Sequence, residues 1–348
     1  MTDVAQLAGV SHQTVSRVLN DHPNVRPQTR QLVLEAITEL GYRRNAAARS
    51  LVTRRTQTLG VISFDSTLYG PASMLYGIER AAQDCYFVTI ASLPALDRRS
   101  VMDAVARFAG QGVEGIIVIA PQVSAVEALR DCPADLPLVA VGCGTHAPLT
   151  SVAVDNAAGA AMATRYLLGL GHRTVHHIRG PESWLDSRER AAGWRQALGE
   201  AGAPEPATLA GDWSSASGYQ IGQRIAADTE VSAVFCANDH MALGMLRALA
   251  EGGRRVPEDI SVVGFDDIPE SAYFLPPLTT VRQDFGELGS RALAALVRLI
   301  RSEDGPAALA QSTEPQNGEP QSPELHTVDP HTVEPQFVVR ASAAPPGT

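Results

Sequence analysis

Residues 2–20 read TDVAQLAGVSHQTVSRVLN, and this stretch decides how the amino-terminal part of the chain folds. Apolar Val4, Ala5 and Ala8, then Val15, Val18 and Leu19, fall at helical spacing on either side of Gly9-Val10-Ser11. Two short helices therefore meet at that break, which is a helix-turn-helix. Gly9 suits the turn because a tight interhelical link needs a residue that tolerates positive φ, and Ser11 can cap the free amides of the second helix. His12, Gln13, Ser16 and Arg17 lie on the side away from Val15 and Leu19. Gln and Arg match the hydrogen-bonding edges of adenine and guanine in the major groove. With Thr14 and Asn20 they form the candidate set for reading bases, and an ordinary helix hairpin is the weaker alternative.

Working outward, residues 26–41 predict a third helix, with Pro27 in its first turn, Leu32, Val33, Ala36, Ile37 and Leu40 as one apolar face, and Gly41 as the stop. Residues 1–44 are thus an all-α head. Residues 45–57 follow as a linker in which Asn45 can cap a short alanine-rich helix containing Ala48, Arg49 and Leu51. Such a helix is too short to persist alone in water, and Arg43, Arg44 and Arg49 point to DNA as the partner that folds it.

Charge is partitioned along the chain. The whole carries −10, yet residues 1–55 hold eight Arg against four acids, a balance of +4, which leaves −14 for the remainder. The basic pole coincides with the helix-turn-helix, as attraction to phosphate requires. At 348 residues and 45 % hydrophobic there is material for a sizeable buried core beyond the head. Cys85, Cys132, Cys143 and Cys236 stand far apart with no CxxC pair, a spacing that does not suggest a zinc site or a disulfide framework and suits a reducing compartment. No leader pattern or long apolar run occurs, so the expectation is a soluble cytoplasmic protein without membrane attachment.

From Thr58 the pattern becomes strands alternating with helices. Strands are expected at 59–63, 86–91, 115–120, 138–141, 152–154, 175–179, 234–237 and 261–264, with helices at 74–85, 100–111, 124–130, 156–169, 187–198 and 288–301. Alternation of this kind means parallel sheets covered on both faces, and its restart near Val152 implies two lobes with a cleft between them. Ligands of open α/β sheets bind at the carboxyl ends of the strands, where such a cleft lies. Residues 302–334, rich in Pro, Glu, Gln and Ser with TEPQ and GEPQ recurring, predict a disordered insertion. Residues 337–340 then predict a last strand closing the second lobe, and no leucine heptad follows to form a tetramerising coil.

The motifs Asp3-Val4-Ala5, Ala8-Gly9-Val10-Ser11, Thr14 to Asn20, Thr29-Arg30, Gly41-Tyr42 and Asn45-Ala46 resemble the head of the lactose-repressor (LacI/GalR) family of bacterial transcription regulators. Further blocks of that family follow at 211–214, 237–239, 241–244, 259–267 and 276–285, so the likeness covers nearly the whole chain apart from the insertion. It implies a head that reads double-stranded, pseudo-palindromic operator DNA through His12, Gln13 and Arg17. It also implies a hinge helix at 48–51 whose Leu51 wedges into the minor groove, and a two-lobed core of periplasmic-binding-protein type I-like fold. Core lobes are expected at 58–154 with 284–301, and at 155–283 with 335–342. The family usually carries a few residues before the Asp-Val-Ala, including a capping Thr, so the expectation is that translation starts upstream of Met1.

Read from the residues, Arg190 offers a planar fork to vicinal hydroxyls, Asn238 and Asp266 end strands and can share hydroxyl protons, and Gln283 adds an amide. Trp213 and Phe285 can lie against the apolar face of a sugar ring. The resemblance implies these six as the effector site. Gly142 stands where a sugar-binding Asp is expected and Phe64 where a small polar residue is, so one end of the ligand must differ. His176-His177 points to opposite faces of a strand and cannot hold one metal, and Asp266-Asp267 has no Walker, nucleophile-elbow or HExxH company. Neither cofactor nor metal is expected, nor is an enzyme. The expected protein is a homodimeric repressor of carbohydrate genes released by a galactoside-like saccharide. The rival is a sugar-binding transport or sensing protein, or an enzyme, on the same core.

Overall fold

The computed structural model describes residues 1–19, 22–42, 55–93, 97–132, 136–144, 149–301 and 332–347. Two compact units divide it, Met1–Thr56 and Gln57–Thr348. In the first, α1 (Thr2–Leu7), α2 (His12–Leu19) and α3 (Pro27–Glu39) enclose a core of Val4, Ala5, Val15, Val18, Val33 and Ala36. Gly9 takes φ +64 at the turn, and the Ser11 hydroxyl accepts the Thr14 amide at 3.1 Å, so both devices expected at the break are present. The apolar face of α3 is narrower than its sequence suggests. Val33 and Ala36 are buried while Leu32 and Leu40 remain about half exposed, because two short helices cover only the stripe between them. The predicted Asn20 contact and the hinge residues Asn45, Ala48, Arg49 and Leu51 lie outside the described residues.

The second unit alternates as predicted. In chain order it contains β1 (Thr58–Phe64), α4 (Tyr69–Ala82), β2 (Phe87–Leu93), α5 (Arg98–Gly110), β3 (Gly115–Ile119), α6 (Val123–Leu129), β4 (Leu138–Val141), β5 (Ser151–Val154) and α7 (Asn156–Gly169). There follow β6 (His176–Arg179), α8 (Leu185–Glu200), β7 (Leu209–Ala210), α9 (Ser215–Ala226), β8 (Ala233–Cys236), α10 (Asp239–Glu251), β9 (Ser261–Val263), β10 (Thr280–Arg282) and α11 (Phe285–Arg301). The segment ends with β11 (Thr332–Val333) and β12 (Gln336–Val338).

Lobe 1 is a parallel sheet of order β11-β5-β4-β3-β1-β2, with β1 fully covered between helices, which is why it reads as an unbroken apolar run. Lobe 2 is the parallel sheet β7-β6-β8-β9, beside which β10 and β12 pair antiparallel. The chain passes between the lobes at residues 154–156, 282–285 and 333–336. Close helix contact in lobe 2 requires glycine: a Cβ at Gly244 of α10 would run into the Ser215 carbonyl of α9.

One expectation is overturned. The disordered insertion was predicted through residue 334, but Thr332 and Val333 form an edge strand parallel to β5, opposite Ala153 and Val154, with Val333 buried. Arg291 of α11 also donates to the Thr332 carbonyl at 2.6 Å. A two-residue strand is too short to show a period, and the Pro/Glu-rich composition up to His331 masked it. Residues 302–331 lie outside the described residues.

Candidate effector site and base-reading face

The polar wall of the site comes from the strand ends of lobe 2. After β6 the chain turns through Gly180 and enters α8, whose first turns carry Asp186 and Arg190. Gly180 is required because a Cβ there would strike the indole of Trp213. After β8, Asn238 caps α10: its Oδ1 accepts the Met241 amide at 2.9 Å while its Nδ2 donates to the Trp213 carbonyl at 3.0 Å. After β9 the backbone takes the left-handed region at both Asp266 (φ +111) and Asp267 (φ +53). That conformation is costly for residues with a Cβ and persists only where the surroundings enforce it. Here Asp267 is clamped by Arg282 and Arg340, each at 2.6 Å, and Asp266 accepts from Gln283 Nε2 at 2.6 Å.

Asp186, Arg190, Trp213, Asn238, Asp266 and Gln283 meet around a cavity of about 810 Å³, part of it open to solvent. The other wall comes from lobe 1, where Leu68, Tyr69, Pro71 and Met74 are mostly apolar, with Thr67 beside them. Of the predicted set, Arg190, Trp213, Asn238, Asp266 and Gln283 line the cavity. Phe285 does not: it sits in the lobe 1 core and supports Tyr69 edge-on at 5.9 Å. Asp186, Trp184, Tyr69 and His240 also line it and lie outside the predicted set, because facing a cavity between two lobes leaves no local mark in the sequence. Gly142 keeps φ +79 and packs against Met74, so lobe 1 presents a thioether where an acid was expected.

Arg190 is the electrostatic hub. It is 3 % exposed, lies over the Phe265 ring at 3.8 Å, donates to Asn156 Oδ1 at 2.8 Å and to the Ala237 carbonyl, and approaches Asp266 at 3.5 Å and Asp186 at 3.9 Å. Burial pushes the Asp266 carboxyl up to about 6, although Arg190 and Gln283 oppose the rise. Burial likewise raises Asp186, against Arg190 and Asn156. Behind them Glu189 is pushed up to about 7 by burial and by the neighbouring Asp186. The indole N–H of Trp213, a residue only 7 % exposed, has no partner among the described residues. The arrangement holds hydrogen-bonding groups rigidly over aromatic faces, which is how a polyhydroxylated ring is bound.

In the head, His12, Gln13 and Arg17 of α2 are exposed and Thr14 and Ser16 are half-buried, opposite Val15 and Val18 in the core. The side chains suited to base edges therefore project from a helix whose other face is fixed by packing.

Two family descriptions match: "Bacterial regulatory proteins, lacI family" over residues 1–45 and "Periplasmic binding protein-like domain" over residues 164–317. The lactose operon repressor of Escherichia coli strain K12 is 35 % identical over 307 residues, 86 % of this chain and 84 % of that protein. The chain belongs to the LacI family. The transcriptional repressor PurR of Vibrio parahaemolyticus is 33 % identical over 87 % of this chain and 92 % of its own. A crystal structure of the lac repressor dimer bound to operator and the anti-inducer ONPF superposes with a TM-score of 0.81 at 31 % identity, covering 98 % of both chains. The protein is accordingly a DNA-binding transcriptional regulator with a periplasmic-binding-protein-like core. Its relatives are regulators and not enzymes, and among the described residues no helix is long and apolar enough to cross a membrane.

Proposed function

We propose that this LacI-family member is a cytoplasmic, homodimeric repressor of carbohydrate genes that a galactoside-like saccharide releases from a pseudo-palindromic operator, with no catalytic activity of its own. One observation carries the reading: Arg190, Trp213, Asn238, Asp266 and Gln283 converge on a single cavity between the lobes. The dimer follows from symmetry, because two heads reading two half-sites require a two-fold protein. His12, Gln13, Thr14, Ser16, Arg17 and Asn20 read the half-site, while Asn45, Ala48, Arg49 and Leu51 engage the minor groove.

Ligand held by both walls of the cavity favours one separation of the lobes. Release of DNA requires that this separation bind ligand better than the operator-bound one does, a difference of roughly 1–3 kcal/mol in typical cases. The test is a mobility shift of DNA upstream of the protein's own gene, with and without a saccharide panel. Salt-sensitive operator binding relieved by a saccharide supports the reading. Operator binding indifferent to every saccharide but responsive to a purine refutes the effector assignment.

A further inference from the structure

We infer that residues 121–123 of lobe 1 and 183–185 of lobe 2 form a non-covalent latch between the lobes, and that making or breaking it is how the core passes from one lobe separation to another. The inference goes beyond the saccharide reading and does not depend on which ligand fills the cavity.

Two helices start where the lobes face each other, and neither is capped by a side chain of its own. The N-cap of α6 in lobe 1 is Gln122 and that of α8 in lobe 2 is Trp184, and neither side chain bonds a helix amide. Both types are poor caps, because they lack the short side-chain oxygen that reaches the second or third amide. The first amide of each helix is satisfied across the cleft instead. Val123 donates its N–H to the Ser183 carbonyl at 3.1 Å, and Leu185 donates its N–H to the Pro121 carbonyl at 2.8 Å. Gln122 and Trp184 are thereby paired in an isolated antiparallel bridge. Each lobe supplies the acceptor that the other lobe's helix start lacks.

Side chains interlock at the same place. Phe64, at the end of β1 in lobe 1, packs against the core of lobe 2, and Leu185 of lobe 2 packs against the core of lobe 1. Between them Trp184 is buried, its ring 6.5 Å from that of Phe64 and edge-on to Trp213 at 5.7 Å.

The three crossovers between the lobes are covalent and can only bend, whereas this fourth tie can open. Opening frees two helix-start amides and uncovers Phe64 and Leu185 together. A half-open geometry keeps neither the hydrogen bonds nor the packing, which favours two discrete states over a continuum. Trp184 also lines the cavity, so whatever occupies the cavity bears on the residue at the centre of the latch.

Hydrogen exchange of the full chain, resolved to single amides by mass spectrometry, tests this with and without a duplex that the wild-type protein selects from random sequence. Val123 and Leu185 are expected to share one protection factor, as a single opening event requires. The duplex is expected to change both by the same factor, about fivefold or more, because DNA binding selects one lobe separation. Trp184→Ala should lower protection of Val123 in the opposite lobe, and Phe64→Ala that of Leu185, each about fivefold or more, while β3 and β8 stay protected. Both variants should also shift affinity for the duplex in the same direction. Unequal protection at the two amides, or a duplex that leaves both unchanged, overturns the inference, and this wild-type comparison holds even where a variant unfolds. Faster exchange in both variants with unchanged affinity for the duplex also overturns it, since the contact would then be structural alone. No saccharide enters the experiment, so its outcome is separate from that of the effector assignment.

Discussion

Replacing Asp266 by Asn should make the unliganded core more stable at neutral pH, although it removes half of a buried ion pair. The reasoning starts from the direction of its titration. Burial pushes the Asp266 carboxyl up to about 6 from an ordinary 3.8, even with Arg190 and Gln283 favouring the anion. An acid raised in the folded state contributes stability that is fully present below its unfolded value and is lost as pH rises through the folded one. About two units correspond to roughly 3 kcal/mol at pH 7.5, an upper bound for what a neutral isostere recovers. Asn retains an oxygen for the Gln283 amide, and Arg190 retains Asp186, so the recovery should exceed about 1 kcal/mol. At pH 4.5 the wild-type carboxyl is largely protonated already, and the advantage should shrink to about a third.

Urea unfolding followed by tryptophan fluorescence measures this directly, because Trp184, Trp194 and Trp213 all belong to lobe 2 and are buried. A midpoint for Asp266→Asn below that of the wild type at pH 7.5 would show that the Arg190 pair outweighs burial. An equal gain at both pH values would show that ionisation is not the cause. The same variant should lose its response to effector while still binding operator, so stability and ligand response move in opposite directions.

Three other outcomes can be checked. Arg17→Ala should lower the preference for operator over random DNA by about 1–3 kcal/mol in competition mobility shifts, whereas Arg49→Ala should weaken both alike and flatten the salt dependence. Gly9→Ala should destabilise the head by about 1–2 kcal/mol in thermal unfolding, purely through backbone strain, since φ is +64 and no atom lies within 4 Å of the added methyl. Gly244→Ala fails for the other reason: its methyl would meet the Ser215 carbonyl, so α9 and α10 must separate, and the lobe 2 unfolding midpoint should fall by an amount equivalent to about 1–3 kcal/mol.

The sequence by itself determined the head, because a helix-turn-helix is a local object: the period of Val4, Ala5, Val15 and Val18, one glycine at positive φ and one serine cap specify it within some twenty residues. It likewise determined the alternating core, since buried parallel strands are uninterrupted apolar runs and their helices keep a 3.6-residue period. The helix at 187–198 and the family-like blocks pointed to Arg190, Trp213, Asn238, Asp266 and Gln283 by residue types that suit a polyol, and the structure brings these five to one cavity. Tertiary structure decided what depends on contacts between distant segments. Phe285 turned inward behind Tyr69 because α11 packs on lobe 1, and Thr332–Val333 became a strand only because β5 offered an open edge. Asp186 joined the site because α8 starts beside the cavity, and its charge matters because Arg190, its neighbour one turn along, is shared with Asp266 from another strand. Burial and charge balance are sums over every neighbour in space, and a single chain position carries no record of them until the lobes are folded.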